Sequence, residues 1–110
     1  MPIAKYKDAT MSTSWTLIPD ISITISTGGI YRITASQNYY NTEPRGILIS
    51  DSDTDYSAYH LACKYETTNR ENYICTSITC FCSPGNRYVF AKAATSDAVN
   101  RISIVVERLL

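Results

Sequence analysis

His60 is the only histidine in the chain, so any Ser-His-Asp or Cys-His mechanism would have to run through it. It falls in Tyr59-His60-Leu61, inside a stretch that reads as strand. No Gly-x-Ser-x-Gly elbow is present to lift a serine into a nucleophilic turn. A hydrolase is therefore not expected, and neither is any other enzyme.

Asp51-Ser52-Asp53-Thr54-Asp55 has the alternating carboxylates that open a calcium loop, because hard cations need several oxygens converging from one turn. Tyr56 stands where such a loop requires glycine for its sharp turn, and Ala62 where the bidentate glutamate belongs. A solvated turn is the expectation. The four cysteines, Cys63, Cys75, Cys80 and Cys82, contain no Cys-x-x-Cys knuckle. On a strand Cys80 and Cys82 point to one face with Phe81 on the other, which is a packing pattern rather than a tetrahedral clamp. No metal and no cofactor are expected. Three full disulfide pairings are open to four cysteines, but in the absence of a secretion signal reduced thiols acting as small apolar residues are expected.

Aromatic and amide groups are the remaining chemistry. Tyr39 and Tyr40 beside Asn38 and Asn41, followed by Arg45, and then Asp53, Asp55 and Tyr56, supply flat faces and polar tips of the kind used in saccharide or protein recognition. These eight residues, on two loops, are the expected ligand contacts. Tyr59, Tyr73 and Phe90 are the expected contacts between subunits, because several strands carry large apolar residues on both faces and the second face needs cover.

The elements that must hold these loops are strands. Nine tyrosines, many isoleucines and abundant threonine favour the pleated conformation, and no alanine or leucine series keeps a helical spacing. In residues 21–25, Ile21, Ile23 and Ile25 alternate with Ser22 and Thr24, as in a half-buried antiparallel strand. Gly28-Gly29 breaks the run before residues 30–36, with which it should form a hairpin or a short corner. Further strands are expected over 46–50, 56–65, 72–82, 87–93 and 101–108, with 56–65 and 72–82 forming a broad hairpin. Ser83-Pro84-Gly85-Asn86 is a compact turn. About eight short strands without helices match an all-β, antiparallel β-sandwich, a jelly roll or a small barrel. Residues 1–14 are polar enough to be an extended arm, leaving 15–110 as a single domain.

The chain has 110 residues with 45% hydrophobic composition, enough for one core. Ten basic and ten acidic side chains cancel and are scattered singly, so no field attracts a polyanion, and nucleic acid and anionic membrane are not expected partners. No apolar stretch approaches a membrane span, and the first ten residues contain no apolar run, so neither membrane insertion nor a signal peptide is expected.

Trp15-Thr16-Leu17-Ile18, Ile21-Ser22-Ile23-Thr24-Ile25 and Gly29-Ile30-Tyr31-Arg32-Ile33-Thr34-Ala35 together resemble trimeric jelly rolls of the complement globular-head and tumour-necrosis-factor type, especially those in bacteriophage fibre and virion proteins. Ser83-Pro84-Gly85-Asn86-Arg87-Tyr88-Val89-Phe90 and residues 102–109 resemble the late turn and closing strand of that family. The resemblance implies a homotrimeric jelly roll. It further implies a phage or prophage structural protein of fibre-tip or decoration kind, assembled in the bacterial cytoplasm into a virion and touching a host-surface glycan or protein or other virion proteins. A cellular protein-interaction or spore-surface module with the same trimeric jelly roll is the alternative.

Overall fold

The computed structural model describes residues 3–39, 44–57, 60–66, 73–94 and 99–110. Nine strands appear among them: β1 (Ile3–Thr10), β2 (Thr16–Leu17), β3 (Ile23–Ile25), β4 (Gly29–Asn38), β5 (Arg45–Ser50), β6 (His60–Glu66), β7 (Tyr73–Cys82), β8 (Gly85–Ala93) and β9 (Val99–Arg108). They make an antiparallel β-sandwich of jelly-roll type. One sheet runs β1-β9-β4-β7 and the other β2-β8-β5-β6, with β3 also paired to β8.

The alternation seen in the sequence places the core. Tyr31, Ile33 and Ala35 of β4, and Ile102, Ile104 and Val106 of β9, point inward to meet Ile47 and Ile49 of β5 and Val89 and Ala91 of β8. Each isoleucine so enclosed stabilises the fold by about 1.5–3 kcal/mol relative to exposure. Ile21, Ile23 and Ile25 are all buried in this cluster, as their spacing requires. Cys80 and Cys82 also point inward with their sulfurs 3.8 Å apart, while Phe81 between them is exposed.

Two sequence expectations change and one is narrowed to one of its two alternatives. Residues 3–10 form a full edge strand rather than an arm, in register with β9 from Ile3 opposite Val106 to Thr10 opposite Val99. Its polar composition reflects the edge position, where Lys7 pairs with Asp20 at 2.8 Å and Asp8 with Arg101 at 2.8 Å. Met11 then turns into the core. The strand before Gly28-Gly29 and the one after it lie in different sheets, so the link is a corner. Likewise β6 and β7 belong to opposite sheets and form no hairpin. Hydrophobic alternation fixes which side of a strand is buried but does not say which sheet it joins.

Candidate binding face

The second sheet has a solvent-side face built around a missing side chain. Tyr65 of β6, Gly46 of β5 and Lys92 of β8 stand in one lateral row, since Gly46 is opposite both Tyr65 and Lys92. Strand spacing puts Tyr65 and Lys92 about 10 Å apart, with only glycine between them. The indole of Trp15, from the segment before β2, fills that gap. A Cβ on Gly46 would lie 2.5 Å from Trp15 Cη2 and 3.0 Å from Lys92 Cγ. Two residues along, Cys63, Leu48, Phe90 and Leu17 form the next row.

Tyr56, on the turn after β5, folds back over this layer. Its ring centroid lies 6.1 Å from that of Trp15 and 5.9 Å from that of Phe90, both tilted, in the range where aromatic pairs attract. The Lys92 ammonium lies 5.3 Å from the centre of the Trp15 ring and 4.9 Å from that of Tyr65, close enough for cation–π attraction to both. Tyr65 is 45% exposed and Tyr56 38%, so two aromatic rings face solvent on either side of the half-buried indole. Cys63 is exposed beside them, and burial pushes its thiol upward in pKa against the pull of Lys92. The face offers broad apolar surface with one cation set into it.

The loops chosen from sequence behave differently. Arg45 is 1% exposed, an inward residue of β5 rather than a loop ligand contact. Its guanidinium stacks on the Tyr39 ring at 4.5 Å and donates to the Pro44 carbonyl. Tyr39 is itself 3% exposed and takes no part in a surface. Both are held at the end of the core where Gln37 donates to the Gly46 carbonyl at 2.9 Å and accepts from Asn100 at 2.8 Å. Burying an arginine there needs such polar neighbours, and the alternation of β5 leaves it no other side to face. Asn38 ends β4 and is exposed on the solvent face of the other sheet, opposite Tyr73 and Arg101. Tyr40 and Asn41 lie outside the described residues.

The second loop is closed on itself. The Ser52 hydroxyl accepts from the amides of Thr54 and Asp55, and Asp55 accepts from the amide and hydroxyl of Ser57. Asp51 pairs with Arg87 at 2.9 Å. Asp53 is exposed. These local bonds engage the Ser52 hydroxyl and one carboxylate oxygen of Asp55, and no cluster of three metal-binding side chains occurs among the described residues. The two loops also sit at opposite ends of β5, about 17 Å apart along the strand, so they do not make one surface. Of the six expected ligand contacts that lie among the described residues, Tyr56 alone joins the aromatic face.

Phe90 must be corrected as a subunit contact. It is 4% exposed, covered within its own chain by Tyr56, and lies in the row beside Leu48 and Leu17. The second apolar side of β8 is thus covered by Trp15 and Tyr56 rather than by another copy. Tyr73 is exposed on the outer face of the other sheet, opposite Asn38. Tyr59 lies outside the described residues.

A groove of about 260 Å³ opens at the far edge, lined by residues that include Ile3, Ile23, Ile25 and Val106. Two of its polar side chains are engaged, Tyr31 donating to the Thr27 carbonyl and Arg108 to those of Gly28 and Leu110.

No family model and no curated protein matches the chain. Solved structures share its fold. A subunit of Bacillus endospore appendages, described as forming a novel family of disulfide-linked pili, superposes with a TM-score of 0.56 at 14% identity, covering 100% of this chain and 88% of that one. A carbohydrate-binding module from Cellvibrio mixtus lichenase 5A, solved with cellotriose, gives 0.51 at 12% identity, covering 96% and 88%. At these identities the likeness establishes a β-sandwich jelly roll common to all three chains.

Proposed function

We propose that this chain is a non-enzymatic surface-recognition module that binds saccharide through the Trp15, Tyr56 and Tyr65 face of its second sheet. The observation that carries the reading is the pair of solvent-facing rings flanking the Trp15 indole, seated in a gap that only glycine allows. Aromatic faces stack on the apolar faces of sugar rings, and tyrosine adds a hydroxyl at little entropic cost. The carbohydrate-binding module with the same fold supports this reading. The setting proposed is a virion component of fibre-tip or decoration kind, supported by the sequence resemblance of Trp15 to Ala35 to the trimeric phage jelly rolls.

In that setting three copies pack through the first sheet's outer face near Tyr73, leaving three aromatic faces outward. Repeated epitopes would then raise avidity by about a hundredfold or more over one site. Light scattering should give three times the chain mass at micromolar concentration, and Tyr73→Asp should reduce it. A wild-type chain that stays monomeric removes the trimer. Glycan arrays and whole bacterial cells test the binding itself: the chain should bind a subset of glycans, and Tyr65→Ala should abolish binding without unfolding the protein. Binding unchanged by Tyr65→Ala would refute the assigned face.

A second reading, a spore-surface assembly module, is favoured by the fold shared with the Bacillus appendage subunit and by the exposed Cys63 and Cys75 on the edge strands β6 and β7. Neighbouring genes separate the two: capsid, portal or tail genes support the virion setting, and collagen-like or secretion-linked genes the spore surface.

A further inference from the structure

We infer that the saccharide taken by this face is acidic, with its carboxylate bound to Lys92; the inference rests on the reading of the aromatic face as a saccharide site. The geometry points to it because Lys92 is the cation within that layer, placed by register in the same row as Tyr65 and Gly46 and held between two rings. Cation–π contact fixes an ammonium in place but leaves its charge unneutralised. No carboxylate among the described residues pairs with it. Glu66, the acid next to Tyr65 on β6, is paired with Lys64 at 3.0 Å.

An ammonium in this position has donors to spare. Lysine presents three N–H groups, and rings accept from it only weakly, so a carboxylate arriving at the edge of the indole completes its hydrogen bonding while the sugar ring lies over Tyr65. A neutral sugar would cover the same rings but leave the charge without a partner and partly desolvated, which is unfavourable. The acidic ligand therefore gains twice, by pairing and by removing that cost.

The test uses the full chain and the emission of Trp15, its one tryptophan. A trisaccharide of galacturonic acid and a neutral galactose trisaccharide are titrated in parallel, with short polyglutamate as a charge control. The acidic trisaccharide should bind about tenfold more tightly than the neutral one, the lower end of what a charge-assisted hydrogen bond gives at a half-exposed site. That preference should shrink as salt is raised. Lys92→Gln should erase the preference, so that the variant binds the acidic and neutral trisaccharides alike, and Lys92→Arg should restore the preference in part. Circular dichroism confirms that each variant remains folded.

Equal binding of the two sugars, or an acidic preference that survives Lys92→Gln, overturns the inference while leaving the saccharide face standing. Polyglutamate binding as well as the acidic sugar overturns it too, because charge alone then suffices. A chain that binds neither trisaccharide, nor any glycan on an array, refutes the reading on which the inference rests.

Discussion

Replacing Gly46 by alanine probes the binding face where it is most tightly built. The new Cβ would stand 2.5 Å from Trp15 Cη2 and 3.0 Å from both Trp15 Cζ3 and Lys92 Cγ, closer than carbon atoms approach without displacement. Trp15 cannot tilt toward Tyr56, whose ring already lies 6.1 Å away, so the indole must lift off the sheet. Overpacking of this kind costs about 1–3 kcal/mol. Alanine in place of glycine returns about 0.4–1 kcal/mol by restricting the unfolded chain. The net destabilisation should be up to about 2.5 kcal/mol, lowering Tm by as much as roughly 10 °C in a domain of this size. Thermal unfolding followed by circular dichroism gives the stability. Trp15 emission should shift to longer wavelength in the folded variant as the indole gains water, and glycan binding should weaken. A variant with unchanged Tm and unchanged emission would refute the packing of Trp15 into the Gly46 gap.

Arg45→Ala should cost about 2–5 kcal/mol in chemical denaturation, because it empties a buried site rather than trimming a loop; unchanged stability with lost ligand binding would restore Arg45 to a recognition role. Asp8 and Asp20 are held below the ordinary carboxylate range by hydrogen bonds from Arg101 and Lys7. A lowered folded pKa adds stability that is full above the unfolded value near 4 and lost as pH falls below it. The Asp8→Asn, Asp20→Asn double variant should accordingly show a shallower fall of Tm below about pH 4, and only a small change at neutral pH since both groups are exposed; an identical acid limb would contradict the anchoring of β1. Iodoacetamide should label the exposed Cys63 and Cys75 of the native chain first and the buried Cys82 last, with all four labelled after denaturation if the thiols are reduced. Burial pushes the Cys82 thiol up in pKa, which slows it further. Early labelling of Cys82 would contradict its place in the core.

The sandwich was legible because its information is local. Ile21, Ile23 and Ile25, or Ile102, Ile104 and Val106, state their buried side by period alone, and the opposed faces of Phe81 and its two cysteine neighbours follow from the same rule. What period two does not carry is pairing. β1 reads as polar because this edge strand is largely exposed on both faces, so its ion-pairing residues have the composition of a free arm. Arg45 read as a loop residue because it follows Pro44, although the next five residues fix it on the inward side. The proposed binding face was hidden for the same reason. Trp15, Gly46, Tyr65 and Lys92 are distant in sequence, and a glycine in a strand gains meaning only when its neighbours across the sheet are known. Once register is set, the gap at Gly46 and the ring that fills it follow directly.

Amide chemical-shift mapping locates the saccharide site on one sheet or the other. The isotope-labelled chain is titrated with the best glycan found on an array, and shifted residues are placed on the two sheets. Saccharide binding at the second sheet should concentrate the shifts at Trp15, Gly46, Tyr56, Tyr65 and Lys92, including the Trp15 indole N–H, with the first sheet unmoved. Shifts gathered instead around Asn38, Tyr73 and Arg101 on the first sheet, with that indole signal unchanged, would contradict it.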